Sequence, residues 1–359
     1  MGNEKTQAPV FYSDTAYEEI NSFILDNNPS AIFIIVDSNT QEYCLPRMLP
    51  QLITNSQVEI IEMEDGEENK NIDTCIGIWD ALSELGADRK CLIINLGGGV
   101  VTDLGGFIAS TYKRGVKYIN IPTTLLAMVD ASVGGKTGVD LGYLKNQIGV
   151  ISQPEMVLID STYLETLSPA EMRSGLAEIL KHGLIADQLY WQKATKLEDL
   201  TSEDLDDLIK RSVEIKTRVV TEDPREENIR KTLNFGHTFG HAIESYFLSH
   251  PTKSKILHGE AVAGGMVIAC YLSHKIMKFS QEQLEEVTST LLKLFPAIAL
   301  EENDFNEIIN LLKFDKKNAY GEINFVLLSK IGAPRIDCKV PEDLLIEGLR
   351  YYKDIVSRK

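Results

Sequence analysis

Three of the chain's six histidines, His237, His241 and His258, fall within 22 residues, in the stretches Leu233-Asn234-Phe235-Gly236-His237-Thr238-Phe239-Gly240-His241 and Leu257-His258-Gly259-Glu260. His237 and His241 stand at i and i+4, which puts both rings on one face if the segment is helical. Two neutral imidazoles at that spacing can share a zinc ion, or one can bind metal while the other moves protons. The competing reading is a helix with two half-buried histidines satisfied by their neighbours. A zincin site is a poor alternative, because its glutamate would fall at Thr238. Further upstream, Glu178 and Lys181 stand at i and i+3, with His182 at i+4 from Glu178. Glu178 can complete a three-ligand metal site with the histidines, or it can form an ordinary surface ion pair with Lys181.

A second group of residues suits anions. Gly97-Gly98-Gly99-Val100-Val101-Thr102-Asp103-Leu104-Gly105-Gly106 lies where a strand meets a helix. Glycines there let the backbone approach a pyrophosphate, and the helix N-terminus favours its charge. The spacing is not GxGxxG, so a tight structural turn fits equally well. Pro122-Thr123-Thr124 follows the next strand and can supply hydroxyls at the same edge. Ser132-Val133-Gly134-Gly135-Lys136-Thr137-Gly138 contains Gly-Lys-Thr, but Asp130 stands where a P-loop needs its first glycine. The reading that remains is a flexible loop presenting Lys136, with Lys145 and Asn146 close behind, suited to a phosphate or carboxylate; a solvated surface loop is the alternative. Lys216, Arg225 and Arg230 add positive charge ahead of the histidine segment.

The elements that must position these groups follow from pattern. At 359 residues and 43% hydrophobic the chain is long enough for two domains, each with its own core. Ala31 to Val36 and Cys91 to Leu96 are apolar, β-branched runs ending in polar or glycine-rich turns, and Tyr118 to Ile121 is a further strand before Pro122. Asn71 to Leu85 has helical spacing. This alternation predicts a doubly wound α/β domain, whose ligands lie beyond the carboxyl ends of the strands. From Ser168 the texture changes: Ser168-Pro169-Ala170-Glu171 is a capping box with proline at the first helical position, and helix-period segments dominate thereafter. The boundary is placed so that residues 1–167 form the α/β domain and 168–359 a mainly α-helical one, with Ile323 to Leu328 a strand or hairpin arm within it.

The net charge of −17 argues against nucleic acid or an anionic membrane as partner, so an anionic substrate needs a local basic pocket. Five scattered cysteines without a CxxC spacing read as reduced thiols in a cytoplasm. The first residues lack the apolar core of a signal peptide, and no 18-residue apolar run occurs, so the expectation is a protein neither secreted nor membrane-spanning.

Taken together, Gly97 to Gly106, Pro122 to Asn146, Ser174 to Gly183, Arg230 to His241 and Leu257 to Glu260 closely resemble the 3-dehydroquinate synthase family, and the match runs from about Val36 to Gly332. The resemblance implies a Rossmann-like N-terminal domain that binds NAD, a helical C-terminal domain that carries zinc or sometimes cobalt, and a homodimer. It implies metal ligands Glu178, His237 and His258, with His241 an acid–base residue and His182 outside the ligand set. It implies that a heptulosonate phosphate is held by Arg114, Lys136, Asn146, Lys216, Arg230, Asn234 and either Lys316 or Lys317, of which Lys316 is chosen. Asp130, Lys181 and Glu226 fall at further catalytic positions. NAD would meet Asp37, Asn39, Glu67, Lys70, Gly98, Gly99, Val100, Asp103, Thr123, Thr124 and Lys145. Thr102, Met128 and Asp140 depart from the family's common pattern, where glycine, glutamine or serine, and asparagine are usual.

The activity implied is conversion of 3-deoxy-D-arabino-heptulosonate 7-phosphate to 3-dehydroquinate and phosphate, the second step of the shikimate pathway. Other sugar phosphate cyclases and metal-dependent polyol dehydrogenases share the general plan and are the alternatives, as is a non-catalytic NAD-sensing protein. Asn234, His237 and His241 together with Arg230 favour the heptulosonate substrate.

Overall fold

In the computed structural model, which describes residues 7–142, 144–196, 201–313 and 323–358, the chain forms two compact units, Met1–Ser168 and Pro169–Lys359. The first contains β1 (Val10–Tyr12), β2 (Ala31–Asp37), β3 (Gln57–Met63), β4 (Leu92–Gly97), β5 (Lys117–Pro122), β6 (Lys136–Leu141), β7 (Leu144–Ile151) and β8 (Val157–Ile159). Six of these make one parallel sheet in the order β1-β8-β5-β4-β2-β3. Successive residues Ile32, Phe33, Ile34 and Ile35 point to opposite faces yet all are fully buried. Helices must therefore cover both faces, which is why these strands read as unbroken apolar runs. The strand order reverses between β2 and β4, and Gly97 at the end of β4 pairs with Pro122 at the end of β5. That carboxyl edge is where a doubly wound sheet places its ligand.

Gly98 follows β4 in an extended conformation and starts the Gly99–Thr111 helix, whose N-terminus no side chain caps. A Cβ on Gly98 would stand 2.9 Å from the Thr124 methyl, so the turn after β5 leaves room for backbone only. Thr102 is accommodated by donating its hydroxyl back to the Gly98 and Gly99 carbonyls, at 3.2 and 3.3 Å.

Lys136 does not stand on a flexible loop: it opens β6, which pairs antiparallel with β7 as a hairpin. Lys136 lies opposite Ile151 at the open end, whereas Lys145 and Asn146 lie near the turn. Burial of the whole run from Thr137 to Asp140, paired with β7, makes this segment strand.

The second unit is mainly helical, with β9 (Asn324–Lys330) and β10 (Ala333–Lys339) as an antiparallel hairpin. At its centre is the His258–Met277 helix, buried on nearly every side from Gly259 to Ser273. A helix of small and apolar residues can be enclosed in this way because it has no polar face to solvate. Its glycines set the approach of its neighbours. A Cβ on Gly259 would overlap the Ser174 backbone of the Pro169–Ala186 helix, and one on Gly265 would overlap the Gly236 carbonyl at the start of the His237–Ser249 helix. The Gly259 N–H donates to Ser174 Oγ at 3.0 Å. Bare backbone at these two crossings draws together the three helices that carry Glu178, His237 and His258.

Gly265→Ala should therefore cost about 2–3 kcal/mol, because rigid backbone rather than a movable side chain receives the added methyl. Urea unfolding of the variant measures this, and an unchanged midpoint would contradict the close crossing.

Candidate active site

Glu178 is completely buried. Its Oε1 lies 3.3 Å from His237 Nε2 and 3.7 Å from His258 Nε2. Lys181, also buried, places its ammonium against Oε2. Neither carboxylate oxygen receives a well-directed hydrogen bond. Burial alone would raise the Glu178 pKa, but the Lys181 ammonium and the two imidazoles hold it well below the ordinary carboxylate range. The Glu178–Lys181 pair is thus no surface pair.

The tautomers follow from the other ring nitrogens. His237 Nδ1 faces the Phe235 carbonyl at 3.3 Å, so its proton belongs there and Nε2 turns a lone pair toward the Glu178 carboxylate. Burial and Lys181 lower the His237 pKa, which favours this neutral form. Two lone-pair atoms 3.3 Å apart repel unless a cation lies between them. Zinc bonds of about 2.0–2.1 Å in tetrahedral geometry separate two ligand atoms by about 3.3–3.4 Å. The donor set therefore fits a divalent ion.

Glu244 was not singled out from sequence, yet it completes this arrangement. Its Oε2 lies 3.2 Å from His258 Nδ1, leaving Nε2 to face Glu178. A carboxylate behind a metal-binding imidazole fixes the ring and raises its basicity. Burial opposes the charge on His258, but Glu244 and Glu178 push its pKa up to about 10, so a bound ion replaces a proton there. The spacing held the signal, since Glu244 is i+7 from His237 and i+3 from His241 on the same helix.

His241 joins the group. Ring nitrogens of His237, His241 and His258 lie within 4.8 Å of one another, and the His237 and His241 rings meet edge to face at 5.1 Å between centroids. Geometry alone leaves His241 able to ligate or to move protons. His182, fully buried, turns Nδ1 to Ser212 Oγ at 3.1 Å.

Between the Ser202–Glu222 helix and the His237–Ser249 helix, the chain presents Glu226, Arg230 and Asn234. Asn234 Nδ2 donates to Glu226 Oε1 at 2.6 Å, and Arg230 is buried with Nη1 donating to the Pro224 carbonyl at 2.8 Å. Lys216 is buried on the preceding helix.

In the first unit the residues expected to meet NAD gather at the carboxyl edge of the sheet. Asp37 ends β2, Gly98, Gly99, Val100 and Asp103 follow β4, and Thr123 and Thr124 follow β5. Asp37 Oδ1 also caps the next helix through the Thr40 N–H at 2.7 Å, and Asn39 is exposed beside it. Lys70 Nζ donates to Asp103 Oδ2 at 2.7 Å and to Asn146 Oδ1 at 2.8 Å, and Lys145 Nζ to Glu67 Oε1 at 2.7 Å. The uncapped helix start and the glycine cradle fit a pyrophosphate. Asp130 lies on the Ala127–Ala131 turn after β5. Arg114 is not brought to this edge: it sits on an exposed turn beyond the far end of the Gly99–Thr111 helix, with φ 72°. Lys316 and Lys317 lie outside the described residues.

Asp140 was noted from sequence only as a departure, but it anchors the hairpin turn. Its Oδ1 accepts the Asn146 N–H at 2.6 Å, its own N–H donates to the Lys70 carbonyl at 2.9 Å, and Lys145 Nζ is 3.8 Å from Oδ2.

Among known proteins, the family model described as 3-dehydroquinate synthase N-terminal matches residues 60–174, and the one described as 3-dehydroquinate synthase C-terminal matches 175–318. A 3-dehydroquinate synthase from Parabacteroides distasonis is 42% identical over 338 residues, covering 94% of this chain and 95% of its own length. Two solved structures share the fold. A 2-epi-5-epi-valiolone synthase from Streptomyces hygroscopicus subsp. jinggangensis, solved with NAD+ and Zn2+, superposes with TM-score 0.83 at 24% identity over 99% of each chain. A 2-deoxy-scyllo-inosose synthase, complexed with carbaglucose-6-phosphate, NAD+ and Co2+, superposes with TM-score 0.82 at 24% identity, covering 96% of this chain and 99% of its own.

Glu244→Ala is expected to weaken zinc binding about 10–100-fold, read by competition with a chromophoric chelator; unchanged affinity would remove Glu244 from the support of His258. Asp140 gives a pH dependence. Burial pushes its pKa up to about 6, with Lys70 opposing and Glu67 adding to the rise. A folded value above the unfolded 3.8 means that ionising Asp140 costs stability, a loss that grows as pH rises from about 4 to about 6. Asp140→Asn keeps an oxygen for the Asn146 N–H and lacks the charge. Its melting temperature relative to the parent should be a few degrees more favourable at pH 7.5 than at pH 4.5, about 2–4 °C for each kcal/mol. The opposite trend would contradict this reading.

Proposed function

The chain belongs to the 3-dehydroquinate synthase family, and we propose on that premise that it converts 3-deoxy-D-arabino-heptulosonate 7-phosphate to 3-dehydroquinate and inorganic phosphate. The enzyme is a phosphate-eliminating cyclase, a carbon–oxygen lyase of the shikimate pathway. Its reaction oxidises one ring alcohol, eliminates phosphate, returns the hydride, opens the ring and closes the carbocycle by an intramolecular aldol addition. Bound NAD supplies the temporary oxidation, which acidifies the neighbouring carbon, and a bound zinc or cobalt ion supplies Lewis acidity toward substrate oxygen.

The residues have distinct tasks. Glu178, His237 and His258 would hold the metal ion, with Lys181 keeping Glu178 ionised. His241, beside the donor set but more accessible than His237, takes and returns protons at a ring nitrogen. Glu226 Oε1, held by the Asn234 amide, serves the same proton relay. In the second unit Lys216, Arg230 and Asn234 orient the substrate's phosphate and carboxylate and offset their charge, while Lys136, Asn146, Arg114, Asp130 and Lys316 are assigned by the resemblance alone. The first unit holds NAD at the carboxyl edge of its sheet, the pyrophosphate at Gly98 and Gly99. We assign a cytoplasmic homodimer, its mass in solution being the direct test. No helix among the described residues is long and apolar enough to cross a membrane, and all five cysteines are free.

The observation that carries this reading is the convergence of His237 Nε2 and His258 Nε2 on one buried oxygen of Glu178. Purified protein given heptulosonate phosphate, zinc and substoichiometric NAD should release phosphate through many turnovers with no accumulation of NADH. Stoichiometric NADH without phosphate would instead identify a polyol dehydrogenase. His258→Ala should lower turnover at least about 100-fold and lose bound zinc while remaining folded; a fully active, metal-free variant would refute the assignment.

A further inference from the structure

We propose that Asp223 is a positioning residue, whose carboxylate builds the loop that presents Glu226, Arg230 and Asn234. The proposal rests on the roles just assigned to those three groups. Asp223 follows the last residue of the Ser202–Glu222 helix and is 7% exposed. Its Oδ1 accepts the N–H of Glu227 at 3.0 Å, and its Oδ2 accepts those of Asn228 and Arg230 at 2.7 and 3.0 Å. Its carbonyl accepts the N–H of Glu226 at 3.3 Å. One residue thus gathers four backbone N–H groups from the five positions 226–230, three of them on its charged oxygens.

The position argues against a role in the helix itself. An acid at a helix C-terminus sits at the negative end of the helix dipole, where it is unfavourable. The carboxylate is compensated there by the loop's N–H groups and by the charge of Arg230. Those bonds also account for the backbone at Glu226, which has φ 60°. A non-glycine residue keeps that left-handed conformation only when its surroundings over-determine it. The consequence is direct: the Glu226 side chain is turned to meet Asn234, and the Arg230 guanidinium folds back onto the Pro224 carbonyl. Asp223 touches none of the reacting groups, and it fixes the spacing of three that do.

Asp223→Asn leaves one acceptor oxygen where the carboxylate has two, so at least one loop N–H loses its partner and meets an NH2 group. Charge-assisted bonds of this kind are strong enough that their loss changes binding by about tenfold or more. We expect D223N to raise the KM for heptulosonate phosphate about tenfold or more through Arg230 and Asn234, and to lower kcat by a smaller factor through Glu226, with bound zinc unchanged. In an R230A background the same substitution should raise KM less than about threefold further, because most of its effect on KM runs through Arg230. Additive effects, or a joint loss of kcat, zinc and folding without a KM preference, would make Asp223 a general stability residue and overturn the proposal. A weakened R230A beside an unaffected D223N also overturns it, while leaving the substrate assignment intact. A wild-type KM in R230A removes that assignment, and the proposal with it. If D223N cannot be recovered folded, Asp223→Ser, which keeps one short acceptor, enters the same cycle. Failure of both to fold while R230A folds counts against the proposal.

Discussion

A carboxylate with no exposure to solvent must be given positive charge or give up its own, and Glu178 is given it. Removing an ionised carboxylate from water costs several kcal/mol even after the protein relaxes. Lys181 answers one oxygen, while His237 and His258 aim Nε2 at the other. Lysine alone would make an ordinary buried ion pair. The addition of two imidazoles whose remaining nitrogens face the Phe235 carbonyl and the Glu244 carboxylate turns both Nε2 atoms to one oxygen, an arrangement satisfied by a proton or by a metal ion that replaces it. The chemistry proposed for the second unit depends on that one constraint.

The packing of the second unit serves the same end. Glu178, His237 and His258 come from three helices, and their separations are set where backbone meets backbone at Gly259 and Gly265. Donors carried on rigid helices keep their spacing better than donors on loops. The first unit solves a separate problem with separate means. Its sheet brings the ends of β2, β4 and β5 to one edge, and the glycine turn after β4 leaves backbone N–H groups at a helix start for a phosphate.

Much of this was legible in the residues. Unbroken β-branched runs gave the strands because both faces of the sheet are covered, and the i,i+4 histidines lie on one helical face as period alone requires. The status of the Glu178–Lys181 pair was not legible, because an i,i+3 pair has the same spacing on an exposed helix as in a core, and only tertiary packing distinguishes them. Glycines around Lys136 suggested a mobile loop, yet burial of Thr137 and Val139 makes that segment strand. Glu244 and Asp223 were missed for a common reason. Both act on other residues rather than on substrate, so nothing in their type announces a function, although the i+7 spacing of Glu244 from His237 was available. The ligand set and the NAD contacts came from the family resemblance, while spacing alone left His241 and His182 as open choices.

The chemistry of the second unit turns on where one ion sits. Anomalous diffraction at the zinc edge from crystals grown with equimolar zinc addresses it directly. A single strong peak is expected at about 2.0–2.2 Å from a Glu178 carboxylate oxygen, His237 Nε2 and His258 Nε2. A peak bound elsewhere, or one held by His241 with Glu178 left out, would contradict this placement.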